Sequence, residues 1–232
     1  MFFGVFAFAL FVGYLKANCS CRQKIFANFM GMRDIKPTPW SNDIVCPHLA
    51  GVEGTVVDVG SGAGFSLVCY ANNTAIKKLY LIEPNPEFTP MLEKNIKKFG
   101  LEDKTVIVTD VGEKIEKHIA ANSVDHAVSI HLLCSVDADV LDDVVRQTSR
   151  MLKSGGQYHL VDHTLAEEGS ILRMAQLAVA PVWEIIGNGC KFLDMPIVYR
   201  EKLSPSFGFK PLTDKDLIEF EYPILGRFVP LI

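Results

Sequence analysis

Apolar and polar positions between residues 55 and 161 switch repeatedly between a period of two and a period near 3.6, and the switches mark out the elements. Thr55-Val56-Val57-Asp58-Val59 is a β-branched run halted by glycines, the pattern of a buried strand. Residues 65–71 predict a short helix and 79–82 a second strand. Asn85 then offers an N-cap, Pro86 suits a first turn, and Glu87 complements the positive end of a helix. Phe88, Met91, Leu92, Ile96 and Phe99 recur at helical spacing until Gly100 stops them. A third strand at 106–108, a short helix at 113–121 and a fourth strand at 124–130 follow. Leu141, Val144, Val145, Thr148, Met151 and Leu152 mark one face of another helix, after which Gly155-Gly156 turns the chain into a fifth strand at 157–161. The helix predicted at 168–186 is apolar over more than one stripe and holds Pro181, which should kink it. Residues 217–222 are the candidate sixth strand.

Strands separated by helices build parallel β-α-β units. The expected fold class is therefore α/β, a doubly wound and mostly parallel sheet of the Rossmann-like kind. Ligands of such sheets bind beyond the carboxyl ends of the strands, and this rule selects the residues below that can do chemistry.

The N-terminus follows neither period. Phe2, Phe3, Phe6, Phe8 and Phe11 lie in an uncharged run that ends at Lys16. Fifteen helical residues reach about 22 Å, short of the roughly 30 Å hydrocarbon core of a bilayer. Continued to Cys21, with Lys16 snorkelling, the helix approaches spanning length. Residues 1–21 are read as a retained membrane anchor, spanning or monotopic, with a cleaved signal peptide and a buried core helix as alternatives. Lys16, Arg22, Lys24, Arg33 and Lys36 against Asp34 alone place the flank on the cytosolic side. Residues 22–50, punctuated by Pro37, Pro39, Ser41 and Asn42, read as a linker, and 51–232 as the α/β domain.

Composition adds exclusions. A chain of 232 residues with 49% hydrophobic and 22% charged positions is one large globular domain with a short appendage. With 23 basic against 27 acidic residues, a nucleic-acid partner is not expected. The six cysteines are scattered, without C-x-x-C spacing, so neither a disulfide framework nor a metal site is assigned, and a reducing compartment is expected.

The turn after the first strand reads Gly60-Ser61-Gly62-Ala63-Gly64. A dinucleotide fingerprint would need glycine where Phe65 stands, so the third glycine comes one residue early. Glu83, followed by Pro84, closes the second strand, where a carboxylate can accept both hydroxyls of a ribose. With Asp58 ahead of the glycines, this set resembles the cofactor element of class I S-adenosylmethionine (SAM) methyltransferases, and Asp110-Val111-Gly112-Glu113 matches the segment that flanks the adenine in that superfamily. The resemblance implies SAM as cofactor, held by Asp58, Gly60, Ser61, Gly62, Gly64, Glu83, Pro84, Asp110, Val111 and Glu113.

Further segments narrow the likeness. Ser123-Val124-Asp125, Leu132-Leu133-Cys134-Ser135-Val136 and Arg150-Met151-Leu152-Lys153-Ser154-Gly155-Gly156 resemble the type 11 methyltransferase domain. More narrowly they resemble the methyltransferase-like protein 7 group of membrane-anchored thiol S-methyltransferases. Val161-Asp162-His163, Pro181-Val182-Trp183 and Gly189-Cys190 are similar to that group's later segments. This implies methyl transfer to a small lipophilic acceptor, a thiol by the group's example, at the cytosolic face of the endoplasmic reticulum or of lipid droplets. Residues 191–215 depart from the group's pattern, and the chain stops at Val229-Pro230-Leu231-Ile232 where the group continues, so a seventh strand is expected to be absent or very short.

Methyl transfer from a sulfonium needs an aligned nucleophile, excluded water and a free lone pair, with no metal required. A thiol, with an ordinary pKa of ~8.5, needs modest help to ionise. His131, after the fourth strand, and His163, after the fifth, reach the ligand edge as candidate bases; the competing reading makes each a backbone partner in the rim of the sheet. His126 lies toward the opposite edge, and His48 and His118 have no identifiable partner. Cys134 reads as packing, and Asp139, Asp142 and Asp143 as acids at a helix start rather than metal ligands. Two other functions stay open: a non-catalytic scaffold of the same fold at a membrane, and, less favoured by Gly64, a nicotinamide-dependent enzyme.

Overall fold

The computed structural model describes residues 2–32, 34–213, 216–217, 220–222 and 226–231, with backbone alone for 2–9 and from 220 onward. β1 (Gly54–Val59), β2 (Ile76–Ile82), β3 (Thr105–Val108), β4 (Val124–Ile130), β5 (Leu152–Thr164), β6 (Phe220–Tyr222) and β7 (Gly226–Leu231) share one sheet in the order β3-β2-β1-β4-β5-β7-β6. The first five run parallel, and β7 enters antiparallel between β5 and β6. The chain steps outward from β1 to β3, then returns to the far side of β1 as β4. The gap between β1 and β4 is thus the topological switch point, where such sheets bind ligands.

The helices are α1 (Phe2–Ala17), α2 (Cys19–Gly31), α3 (Cys46–His48), α4 (Leu67–Tyr70), α5 (Thr89–Lys98), α6 (Ala138–Met151), α7 (Ile171–Ile186) and α8 (Met195–Lys202). β1 is the centre of the core because its side chains alternate between two apolar layers. Val57 and Val59 pack with Ile115, Val145 and Leu160 on one face, and Val56 packs with Leu67, Leu79 and Leu92 on the other. Leu141, Val144, Val145, Thr148 and Met151 form the buried stripe of α6, as their spacing predicts.

Four expectations need correction. The last strand is present: β7 pairs with β5 from Leu160↔Leu231 to Thr164↔Arg227. Pro230 made that segment a poor strand, because proline cannot donate to a ladder. Among the described residues the β6 pairing reaches Phe228, and Pro230 pairs with Val161 of β5 on the other side. The fifth strand begins at Leu152, not at residue 157, since Gly155 (φ 83°) is absorbed by a bulge in the β4–β5 register.

The spanning form of the N-terminal anchor is not supported. α1 ends at Ala17, and the Asn18 side chain accepts the Cys21 N–H at 3.0 Å to cap a separate α2. Among the described residues no helix is long and apolar enough to cross a membrane. Finally, Cys46 and Cys69 form a disulfide between α3 and α4, a pairing that their separation of 23 residues did not reveal. The 22–50 segment carries α2, a π-helical turn (Ser41–Val45) and α3, and it buries Val45 and Leu49 beside Val56.

Candidate active site

The glycine turn after β1 is held from below and open above. Gly60 and Ser61 both donate their N–H groups to the Ile82 carbonyl of β2, at 2.8 and 3.1 Å, which pins the turn across two strand ends. Gly60, Gly62 and Gly64 all have positive φ, at 76°, 53° and 87°, the region that glycine enters without steric cost. Their surroundings differ. A Cβ on Gly60 would strike Leu132, and one on Gly64 would strike Leu67, whereas one on Gly62 would meet nothing within 4 Å. Gly62 is therefore the glycine whose bare backbone faces open space, as a closely approaching ligand requires.

Asp58 and Ser61 are turned inward. The Asp58 carboxylate is buried and takes hydrogen bonds from the Ser66 and Tyr70 hydroxyls, while Ser61 Oγ donates to the Asp58 carbonyl at 2.8 Å. Burial pushes the Asp58 carboxyl up to about 7, against the two hydroxyl bonds. Asn95 Nδ2 fixes the other flank of the turn by donating to the Ala63 carbonyl at 2.8 Å.

Glu83 stands one strand over, at the end of β2, and is buried. Its Oε2 accepts the Gly62 N–H at 2.8 Å and its Oε1 accepts the Asn85 N–H at 2.9 Å. Burial raises its pKa, opposed by those two backbone bonds. A carboxylate offers about four lone-pair positions, so two amides fix its plane and leave each oxygen able to accept a hydroxyl. Pro84 is exposed beside it. At the end of β3, Asp110 accepts the Val111 N–H at 2.8 Å and pairs with His118 Nε2 at 2.9 Å. The His118 hydrogen bond is the main reason its pKa is lowered. His118 thus has a partner that the sequence did not identify. Val111 and Glu113 are half-buried on the same rim, at the opening of a 3-10 turn (Gly112–Lys117).

Across the switch point the edge is aromatic. His131 follows β4 directly, with φ 59°, and donates its N–H to the Val161 carbonyl at 2.7 Å. A left-handed non-glycine residue costs roughly 1–2 kcal/mol, so this side chain is held in place by its surroundings. Its ring stacks on Trp40 at 5.6 Å and on His163 at 4.3 Å. His163 meets the edge of Trp183 at 6.1 Å, and Trp183 stacks on Phe192 at 5.6 Å. Five rings thus form a continuous row. Burial, followed by the nearby His163, holds the His131 imidazole well below its usual pKa, so it is neutral at neutral pH. His163 lies inside β5 rather than after it.

Below this row, Asp162 accepts the Tyr199 hydroxyl at 2.9 Å and the Cys134 N–H at 3.3 Å, and burial lifts its carboxyl to about 6. Cys134 Sγ lies 3.3 Å from Cys190 Sγ, which lies 3.6 Å from His163 Nδ1. The Asp142 carboxylate pairs with Lys202 at 2.6 Å, which accounts for one of the three acids at the start of α6 without a metal.

The structure brings Gly62, Glu83, Asp110 and His131 to one edge, with His163 beside His131, while Asp58 and Ser61 act from beneath the turn. The residues missed from sequence are Trp40, Trp183, Phe192 and Cys190, which complete the aromatic row and the thiol pair. Trp183 and Cys190 fall in segments that the resemblance already marked; Trp40 and Phe192 carry no local signal.

Comparison with known proteins agrees with this geometry. Residues 57–160 match the methyltransferase domain family. Thiol S-methyltransferase TMT1B of Rattus norvegicus is 28% identical over 162 residues, which cover 70% of this chain and 59% of that protein. Thiol S-methyltransferase TMT1A of Homo sapiens is 29% identical over 145 residues, covering 62% of this chain and 57% of that protein. The chain thus spans less than two thirds of either relative. The apo structure of the SAM-dependent methyltransferase SibL superposes with a TM-score of 0.61 at 16% identity, over 83% of this chain and 54% of that one, a likeness of fold. Residues 57–160 thus match a methyltransferase domain, the chain shares the fold of SAM-dependent methyltransferases and resembles the thiol S-methyltransferases, and these likenesses support SAM as the cofactor.

Proposed function

We propose that this protein transfers a methyl group from SAM to a small lipophilic acceptor, and that the acceptor atom is a thiol sulfur. The observation that carries the reading is the Glu83 carboxylate, locked by the Gly62 and Asn85 amides beside the one glycine of the turn that faces open space. In this reading Glu83 accepts the two ribose hydroxyls, Gly62 admits the cofactor to the backbone, and Asp110, Val111 and Glu113 border the base. When bound, SAM supplies a methyl carbon that already carries a good leaving group.

The chain's own residues supply the rest. His131 is kept neutral by burial and accepts the thiol proton as the sulfur becomes a thiolate. His163 stacks on it and holds its ring plane, a positioning role. Trp40, Trp183 and Phe192 present apolar faces that favour a greasy acceptor and exclude water. Thiol preference is supported by the two S-methyltransferase relatives and by the low demand a thiol makes on a base.

The same reading has the protein associate with the cytosolic face of the endoplasmic reticulum or of lipid droplets through α1. Leu10, Phe11 and Tyr14 are exposed on that helix, which packs against α7, itself exposing Ile171, Met174 and Leu177. Such an arrangement suits a helix lying in the interface rather than crossing it. Fractionation after deletion of residues 1–21 tests this, and pelleting unchanged at high salt refutes it. A Cys46–Cys69 bridge intact in protein quenched directly from cells would move the domain to an oxidising compartment.

The deciding experiment measures methyl transfer from labelled SAM to a panel of alkyl thiols, phenols and amines. Transfer to thiols is expected. Silence across the panel, with binding of S-adenosylhomocysteine intact, would leave a scaffold, and binding of NADH in its place would remove the cofactor assignment.

A further inference from the structure

We infer that Cys134, His163 and Cys190 form a binding site for one zinc-class cation. The donor atoms of the three, two Sγ and one Nδ1, all lie within 4.8 Å of one another. Zinc holds thiolate sulfur near 2.3 Å and imidazole nitrogen near 2.0–2.1 Å in a tetrahedron. From those lengths, two sulfurs sharing the ion stand about 3.8 Å apart, and a sulfur and a nitrogen about 3.5 Å. The observed Cys190–His163 separation of 3.6 Å already has that value, and the sulfurs at 3.3 Å need only open slightly.

The donors converge because three separate pieces of backbone are tied together. The Cys134 carbonyl accepts the Lys191 N–H at 2.8 Å, and the Cys134 N–H is held by Asp162, next to His163 in β5. The Leu165 N–H donates to the Leu193 carbonyl at 2.8 Å, binding the segment after Cys190 to the end of β5. Gly189, at φ 100°, permits the approach: a Cβ there would sit 3.1 Å from the Ser135 carbonyl oxygen.

Two cysteines meeting in an apolar core are ordinary packing; two cysteines with an imidazole nitrogen aimed at one of them are a ligand set. Charge favours the ion as well. Binding Zn2+ releases the Cys134 and Cys190 protons to solvent, and His163 contributes a neutral lone pair. The occupied site is then net neutral, and burial does not penalise it as it would a bare cation.

The test uses the full chain, reduced and desalted without oxygen, and titrated with Co2+ and then Zn2+. Wild type should take up about one equivalent at this site, with the near-ultraviolet sulfur-to-cobalt absorption and visible bands of tetrahedral Co2+ that Zn2+ abolishes. The Cys134→Ser, Cys190→Ser double variant should lose that absorption and weaken Zn2+ binding at least ~100-fold. Cys19, Cys21, Cys46 and Cys69 remain in it, so binding by those thiols is measured as background. His163→Gln, which keeps both thiols, should keep the charge-transfer band and weaken Zn2+ at least ~10-fold. Circular dichroism of each variant establishes folding before titration. No uptake by wild type, or equal Co2+ spectra and Zn2+ affinity in wild type and folded variants, would overturn the site.

Discussion

β4 and β5 carry two pairs of histidines, and the pairs differ in almost everything but chemistry. His126 and His159 lie within the strands, their nitrogens 3.0 Å apart, with His48 edge-on to His159 at 5.4 Å. Burial pushes the His159 pKa down to about 3, and His126 is lowered too, chiefly by burial. His131 and His163 sit a few residues on, at the carboxyl ends of the same strands, with rings stacked at 4.3 Å. The lower pair fills the sheet; the upper pair faces the switch point, the glycine turn and the aromatic row. One residue type does two jobs because the sheet has a ligand-binding edge and a closed one.

The largest expected effect is a pH dependence carried by the lower pair. An unfolded chain protonates His159 as pH falls below about 6.5, whereas the folded protein resists until about 3. Stability from this group is therefore lost as pH falls through that window, by roughly 5 kcal/mol. Asp58 and Asp162 act with the opposite sign. Their folded pKa values, about 7 and about 6, lie above the unfolded value, so the stability they give at low pH is lost as pH rises from about 4 to 7. Between pH 7 and 4.5 the loss from His159 opposes a larger combined gain from Asp58 and Asp162, so the urea midpoint should rise less in wild type than in His159→Gln. In His159→Gln the midpoint should rise steadily as pH falls. A variant profile parallel to that of wild type would show that His159 is not held neutral by the fold.

At the upper edge, Glu83→Ala should weaken S-adenosylhomocysteine binding by ~100-fold or more, from two lost charge-assisted hydrogen bonds at roughly 1.5–3 kcal/mol each. Calorimetric titration reads this directly, and affinity within threefold of wild type would detach the cofactor from β2. His131→Asn keeps a side chain that tolerates left-handed backbone but has no basic nitrogen. It should lower kcat for thiol methylation by ~100-fold with cofactor affinity unchanged. A loss that alkaline pH restores would identify the missing function as proton removal. Equal rates in variant and wild type would return His131 to the role of rim residue.

How far all this was legible in the sequence depended on the range over which each signal acts. β4 falls at the predicted residues, 124–130, because its run holds no glycine or proline to break it. The start of β5 was read five residues late because Gly155 speaks for a turn, and only the neighbouring strand turns it into a bulge. β7 was missed because Pro230 argues against a strand, and only the long-range pairing with β5 shows one. Gly62 and Glu83 were found together because the order of strands fixes where each must end. The Cys46–Cys69 bridge, the Cys134–Cys190 pair and the stacking of Trp40 on His131 join segments that no periodicity connects, so only the folded chain reveals them.

The smallest effect tests whether the aromatic row belongs to the upper pair or to the acceptor. Trp183 meets His163 edge-on at 6.1 Å and stacks on Phe192 at 5.6 Å, and aromatic contacts of this kind are worth about 0.5–1.5 kcal/mol each. If its face receives a lipophilic acceptor, Trp183→Leu should raise KM for a long-chain thiol about 3–10-fold, spare a short-chain thiol, and leave kcat and cofactor affinity alone. If Trp183 instead only props His163, and through it His131, kcat should fall for both thiols while the ratio of their KM values stays constant. Measured on the two thiols side by side, the split between KM and kcat assigns the row to binding or to orientation, and a variant equal to wild type in both constants would remove Trp183 from the site.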